Sequence, residues 1–570
     1  MDFCKMQRIQ TDVLVIGGGA AGARAALEAR LAGARVTLAV KGRFGAVGTR
    51  GAGASATALD GAGGVLFTGD ADVPPTPQQA YDEAMQLGLG LADPKLVRVL
   101  VEGSLRNRSE LAALNIYPRH GFGRGINCHG VPLVVGLAGH VRSRGVDVRE
   151  GVMITHLLTR DGECVGAVGI TEADGETCTI QAASVILATG GDGQAFKHNL
   201  DPACVTADGY AMGFDAGAEL MNLEFKQVFV MSVYPTRNIL HLWTLKHPVQ
   251  LVNARGEEFL SRYCPSGVTP EMVLEQHAQH DPASTRDAYS RFLEAAIIGE
   301  VRAGNGTPHG GVWLDMRGQG HLLDPNVAEW LRYRGIFSND ELIEMSVCHQ
   351  CSNGGFRVDE NAQTTIPGLY ALGECMAGAY GADRRGGHML ASTQVFGARA
   401  GRDAARRART IARQTFDQQL TPDAADEIAR LNESRGTQSP QELKRALRES
   451  NWRDLLFVRT AEGLARGLSQ AEQIRAEFTA HLRVETPRDL VEASELQNLL
   501  TATEMAARAA QMRQETRGAH YRPDFPTRND TEWKKCITLK KVNDTLRVDT
   551  VVVDPHWQDR ASNIMSSRWG

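Results

Sequence analysis

The sequence predicts an α/β protein: a discontinuous Rossmann-like nucleotide-binding domain, an inserted α+β cap domain and a C-terminal helical domain. Three observations carry this. A β-rich apolar run, a glycine-rich turn and a helix-spaced segment follow one another within residues 11–40. Buried-strand segments of the same type recur far downstream, at Gln181–Ala188 and Gly368–Leu372. Beyond Ala404 the pattern changes to amphipathic helices.

Each element has a local reason. Thr11–Gly17 is a short apolar run of strand type, and Ala20–Leu31 spaces Ala, Leu and Arg as a helix does. Arg35–Val40 is a second strand, which completes a βαβ unit. Residues from about Lys226 to Met345 mix helices and turns, as an insertion would. Asp423–Asn432, Gln441–Ser450, Glu472–Leu482 and Asp489–Gln514 read as helices, with Pro440 and Pro487 standing just before two of them. Ile537–Lys541 and Leu546–Val553 flank Asn543-Asp544 as a terminal hairpin would. The expected division is a nucleotide domain over 1–225 and 346–405, a cap over 226–345, helices over 406–525 and an extension over 526–570.

The chain has 570 residues, too many for one ordinary core. Its 62 basic and 67 acidic residues lie without long runs of either sign, which argues against nucleic acid as a partner. No apolar run is long enough to span a bilayer, and the N-terminus lacks the pattern of a secretory signal. Ten cysteines, mostly scattered, suit a reducing compartment. A soluble, cytoplasmic protein is expected, attached to membranes only through a partner.

Gly17-Gly18-Gly19-Ala20-Ala21-Gly22 satisfies G-x-G-x-x-G between a strand and a helix. Gly17 permits the tight turn, Gly19 lets a diphosphate approach the backbone, and Gly22 lets helix and strand pack closely. The first N–H groups of the helix would receive the diphosphate. The acidic residue that usually ends the second strand and binds ribose is missing, and Val40-Lys41-Gly42 stands there. Lys41 is either an adenosine-side contact or a solvated loop lysine.

Pro367–Arg402, with its Gly-Glu turn (Glu374) and Gly381-Ala382-Asp383-Arg384 loop, resembles the closing segment of the succinate dehydrogenase/fumarate reductase flavoprotein family. So do Val47–Gly53, Ala188–Gly191, Ala207-Asp208-Gly209 and Arg513–Asp530, so the similarity spans about residues 10–535. The resemblance implies an FAD-dependent oxidoreductase. Its cofactor contacts would include Val40, Lys41, Gly48, Thr49, Gly51, Ala52, Gly53, Met153, Thr189, Gly190, Asp208, Glu374, Met389 and Leu390. Gly48 takes the place of the histidine that carries FAD covalently in membrane-bound members, so FAD should be non-covalent. Arg384 would clamp a substrate carboxylate, and Arg286, in Ser284-Thr285-Arg286-Asp287, would deliver the proton. The plain alternative makes both arginines ion-pair partners of their neighbours, Asp287 and Asp383.

Other positions depart from the pattern. Phe229 stands where a substrate-facing histidine is usual, and Gln350 is the ungapped match to a second one, with His349 a residue early. His388 and Met389 replace the usual Asn-Ser. A wall of Phe229 makes a second carboxylate costly to bury there, so the acid should have a less polar second end than succinate. Cys348 and Cys351 form the only close cysteine pair and read as packed thiols more readily than as a metal or redox site, so no metal is expected. An iron–sulfur or other electron-transfer subunit should be a separate chain, since no cysteine cluster here could hold a cluster. Two alternatives stay open: a dehydrogenase or oxidase of an amine or sulfur compound, and an FAD-binding subunit without chemistry.

Overall fold

The computed structural model describes residues 7–46, 76–116, 119–120, 126–127, 130–235, 237–239, 250–279, 289–315, 317, 332, 342–411 and 421–553. Arg286, Gly48, Thr49, Gly51, Ala52 and Gly53 lie outside them.

The first sheet has seven strands. β1 (Gln7–Ile16) lies between β2 (Val36–Val40) and β8 (Thr177–Leu187), parallel to both. β5 (Asp147–Glu150) extends the parallel set beyond β2, while β7 (Glu163–Thr171) and β6 (Val152–Arg160) continue antiparallel beyond β8. β16 (Leu369–Ala371) pairs in parallel with the C-terminal end of β8, Leu369 opposite Val185. Strands nearly two hundred residues apart in sequence are thus hydrogen-bonded neighbours, as the repeated strand type predicts. Both faces of β1 are covered. Leu14 and Ile16 enter one core and Val13 and Val15 another, which is why the strand reads as a continuous apolar run.

Helix α1 (Ala20–Leu31) matches its sequence expectation to the residue. Helices α2 (Pro77–Leu87), α3 (Pro94–Ala113) and α4 (Gly130–Ser143) follow, then the short α5 (Asp208–Asp215). A second, antiparallel sheet runs β11 (Asn238–Ile239), β10 (Lys226–Tyr234), β14 (Leu342–Ser352), β13 (Val312–Asp315), β12 (Gln250–Val252). Helices α6 (Pro270–Gln279) and α7 (Arg291–Arg302) accompany it.

α8 (His388–Thr410) lies across α1, and the two approach through small residues. A Cβ on Gly397 would sit 3.0 Å from the Ala21 carbonyl oxygen, and one on Gly401 would collide with the Ala25 carbonyl. Four more long helices follow, α9 (Pro422–Asn432), α10 (Pro440–Asp454), α11 (Ala461–His481) and α12 (Pro487–Met512), and a single turn of helix at Asp530–Trp533. Ser439 with Glu442 and Thr486 with Asp489 form capping boxes, each followed by proline at the first helical position, as Pro440 and Pro487 announce. α11 begins eleven residues before the expected Glu472, capped by Thr460. Gly463 and Gly467 weaken the helical pattern there.

The terminal hairpin forms as expected, β17 (Lys535–Val542) with β18 (Thr545–Val552). Asn543 and Asp544 both have positive φ, 48° and 58°, the conformation of a tight primed turn. β17 also pairs with β9 (Leu220–Met221), so the extension is a strand of a sheet shared with residues 220–221.

Candidate active site

Two helix N-termini and two turns converge at the C-terminal ends of β1, β8 and β16. Gly17 has φ +106°, and its Cβ would strike the Ala188 carbonyl. Gly22 lies against the Gly17 carbonyl, so neither position admits a side chain. Gly19 is different: nothing lies within 4 Å of its Cβ position, and it caps α1 without a side-chain hydrogen bond or an acid in the first turn. The first-turn N–H groups, at Ala20, Ala21 and Gly22, therefore have no side-chain cap among the described residues, and no side chain crowds the turn before them. This fits a diphosphate. α8 starts in the same way, at Gly387 (φ +86°), with no side-chain cap and with His388, Met389 and Leu390 in its first turn. Gln394 on α8 donates to the Ala20 carbonyl at 3.2 Å, which ties the two helix starts together.

The turn holding Glu374 packs between them, with the Gly373 Cβ position 3.2 Å from Ala21 and 3.4 Å from Thr393. Cys375 donates to the Gly190 carbonyl at 3.2 Å, and the Thr189 hydroxyl accepts from Gly209 N–H at 3.0 Å. Tyr210 O–H donates to the Glu374 carbonyl at 2.7 Å. Thr189, Gly190 and Glu374, nominated from separate segments, are thus one connected group. Burial raises the Glu374 carboxyl to about 7, with Asp201 adding to the rise.

Val40 is buried beneath Gly18. Lys41 is not a solvated loop lysine. Its ammonium is buried and pairs with Asp208 at 2.8 Å and Glu495 at 2.9 Å, while Lys444 meets Glu495 from the other side at 2.6 Å. Burial works against the Lys41 charge, but the two carboxylates outweigh it and hold its pKa above the ordinary lysine range. Burial likewise opposes the Glu495 charge, and the two lysines pull that carboxyl down to about 2. Met153 is buried on β6, which starts beside Gly42 through the hydrogen bond from Gly151 N–H to the Gly42 carbonyl at 3.0 Å.

Arg384 is buried on the loop leading into α8. Its Nη2 donates to Gln350 Oε1 and to Cys351 Sγ, both at 2.9 Å, and its Nη1 donates to the Arg385 carbonyl at 3.0 Å. Nε is buried without a hydrogen-bond partner among the described residues. Asp383 instead accepts from the Arg384 backbone N–H at 2.8 Å and from Gln227. A bulge explains how two neighbouring residues reach one guanidinium: Gln227 faces Cys351 and Val228 faces His349, leaving Gln350 as the extra residue. Burial pushes the Cys351 thiol up to about 12 although Arg384 opposes the rise, so it is a neutral acceptor. His388 is driven down to about 3 by burial first and then by Arg384 and Arg385, and is neutral.

Phe229 is buried in a small cluster with Met231 and Cys348. His349 points away from Gln350, fully buried, with Nδ1 3.1 Å from Asp201 and Nε2 3.2 Å from the Ser352 hydroxyl. With it lies a group that sequence reading missed: Asp192, Asp201, Lys226 and Ser352. Its signal was present as polar residues inside apolar strand runs, Lys226 opening β10 and His349 within β14. Among the described residues no group of three or more His, Cys, Asp or Glu side chains is arranged to hold a metal ion, and no helix is long and apolar enough to cross a membrane.

A parallel sheet with a glycine cradle between a strand and a helix, and a second helix start tied to it, defines a dinucleotide-binding enzyme fold. Residues 12–390 match the model of an FAD binding domain, and residues 444–561 match the C-terminal region of fumarate reductase flavoproteins. The chain is 31% identical over 566 residues to one subunit of the fumarate reductase (CoM/CoB) from Methanothermobacter marburgensis, covering 93% of this chain and 97% of the relative. It is 29% identical to an L-aspartate oxidase from Streptomyces coelicolor, over 95% and 93% of the two chains. Among solved structures, an E. coli quinol fumarate reductase chain superposes with a TM-score of 0.79 at 24% identity, covering 96% of this chain and 97% of that one. The chain belongs to the fumarate reductase/succinate dehydrogenase flavoprotein family and is an FAD-dependent oxidoreductase.

Proposed function

We propose that this protein moves a hydride between non-covalently held FAD and a carbon–carbon bond next to a substrate carboxylate, and that the acid is one other than succinate. The observation that carries this is Arg384. A buried guanidinium held by an amide, a thiol and a carbonyl, with Nε unpartnered, is a cation whose charge awaits an anion. A substrate carboxylate supplies it, and a bidentate grip fixes the neighbouring carbon. Gln350, its oxygen committed to Arg384, keeps its amide N–H groups as further donors for the same carboxylate.

FAD, held by the N–H groups at Ala20, Ala21 and Gly22 and by the Thr189, Gly190 and Glu374 group, supplies two-electron acceptance and donation. Arg286 is the proposed proton donor. Apolar Phe229 favours a substrate whose far end is less polar than a second carboxylate. Electrons pass onward to a separate iron–sulfur or other electron-transfer protein chain, which the multi-subunit character of the M. marburgensis relative supports. A cytoplasmic site of action completes the reading, which scattered cysteines in a reducing compartment support.

Anaerobic titration of the purified flavoprotein with saturated acids, followed by flavin absorbance, tests the reading, and reoxidation by unsaturated acids tests the reverse direction. One acid should bleach the flavin in the parent and fail to do so in Arg384→Met. Succinate turnover competitive with every other acid refutes the assigned substrate class.

A further inference from the structure

His349, Asp201, Ser352, Asp192 and Lys226 form a fully enclosed polar chain beside the cofactor segments, and no step above uses it. His349 Nδ1 lies 3.1 Å from Asp201 Oδ2, and its ring stacks on Phe196 with centroids 5.1 Å apart. Its Nε2 lies 3.2 Å from Ser352 Oγ and 3.8 Å from Asp192. Ser352 Oγ is a junction: it donates to Asp192 at 2.6 Å and accepts from Lys226 Nζ at 2.9 Å, while Lys226 also pairs with Asp192 at 2.6 Å. The Ser352 backbone N–H donates to Glu374 Oε1 at 2.7 Å, so the chain ends on the cofactor turn, and Asp192 directly follows Thr189-Gly190-Gly191.

The arrangement has room for one more proton. The hydroxyl of Ser352 has a single hydrogen, and the shorter contact gives it to the charged Asp192. With Nδ1–H donating to Asp201, a neutral His349 then presents Nε2 to an oxygen that has no hydrogen to offer it. Protonation at Nε2 turns that contact into a donated hydrogen bond. The charges agree. Two carboxylates, Asp192 and Asp201, flank His349, the ammonium bonded into the chain is Lys226, and Asp201 Oδ1 is buried without a hydrogen-bond partner among the described residues. Arg237 approaches only as far as the Asn199 carbonyl, at 2.8 Å, and Arg384 is held on the far side of the bulge by Gln350. Negative charge added nearby attracts a cation to that place.

We propose that the buried Asp201–His349 pair is a proton store for the cofactor site, taking a proton onto His349 Nε2 when two electrons enter the bound FAD and releasing it when they leave. The electrons come from substrate or electrode, the proton comes from water, and no bond to carbon changes in this step. The inference rests on the reading that Glu374 lines the FAD site. It makes His349 a positioning residue whose charge follows the redox state. It also explains why a lysine and a histidine on neighbouring strands are buried with two loop aspartates where apolar side chains would pack more favourably.

The test is electrochemical reduction of the FAD-loaded protein without any substrate, counting protons taken up with an indicator dye. The pH dependence of the flavin midpoint potential between about pH 5 and 8 is followed alongside. The parent should take up about one proton more per two electrons than His349→Gln, which can still bridge Asp201 and Ser352, and Asp201→Asn should reduce the uptake too. In case either variant fails to fold, the reduced-minus-oxidised infrared spectrum of the parent reads the same event as imidazolium bands. Equal proton counts in parent and folded variants, or a parent difference spectrum without imidazolium bands, overturns the proposal. Because the electrode replaces the acid, a wrong substrate class leaves this outcome unaffected.

Discussion

Replacing Gly401 by alanine should destabilise the protein, although the same change in an open helical position stabilises. Gly401 sits inside α8, where Ala exceeds Gly in helix propensity by about 1 kcal/mol. Its Cβ would strike the Ala25 carbonyl of α1 and lie 3.1 Å from both Ala25 C and Ala29 N, where 3.4–4 Å is ordinary contact. These are backbone atoms of a packed helix and cannot swing aside. Overpacking of this kind costs roughly 1–3 kcal/mol. The backbone contact argues for the upper end of that range, which leaves a net loss of about 1–2 kcal/mol after the propensity gain. Gly139, in α4, has nothing within 4 Å of its Cβ position, so Gly139→Ala should gain about 1 kcal/mol. The loss should also appear in the cofactor, because separating α8 from α1 moves the N–H donors at Ala20 and Ala21 away from the second helix start. Chemical denaturation of both variants, with FAD content measured after gel filtration, is the assay. If Gly401→Ala stabilises as much as Gly139→Ala and retains FAD as the parent does, close α1–α8 approach does not set the cradle.

Two further outcomes are expected. Glu495→Gln should cost about 3–5 kcal/mol at neutral pH, because it leaves Lys41 and Lys444 buried around one remaining carboxylate, Asp208. The folded Glu495 carboxyl lies at about 2, below its ordinary value, so its contribution is complete above about pH 4.3. The gap between parent and variant in urea denaturation should therefore close as pH falls from about 4 toward 2, and a gap that stays constant over that range contradicts the assignment. Gln350→Glu should fill the anion place beside Arg384 with its own carboxylate, raising the KM for the acid substrate at least about tenfold while FAD content stays unchanged. An unchanged KM would remove Arg384 from the carboxylate site.

Much of the nucleotide site was legible because its demands are local. A tight turn needs Gly17, an open diphosphate approach needs Gly19, and close packing against the turn needs Gly22. All three needs are written within six residues. Prolines announced α10 and α12 for the same reason, Pro440 and Pro487 each standing at the helix start. Lys41 was ambiguous because its partners lie about 170 and 450 residues away, and nothing near it in sequence shows two carboxylates converging. Gln350 and Cys351 both reach Arg384 only because a bulge breaks strand alternation, and a bulge arises from pairing with β10 that no reading of β14 alone contains.

Local signals in the sequence carried the α/β class, the glycine cradle, the start of α1 and the family, since these rest on turns and periodicities spanning a few residues. Only the tertiary structure decided which charges are buried together. It turned Lys41 from a loop residue into a locked ion pair, left Arg384 held by neutral acceptors, and placed His349 in a closed chain with Asp201, Ser352, Asp192 and Lys226. The physical reason is the range of the forces involved. Backbone conformation is set by near neighbours, whereas the fate of a buried charge is set by every group the fold brings within a few ångströms of it.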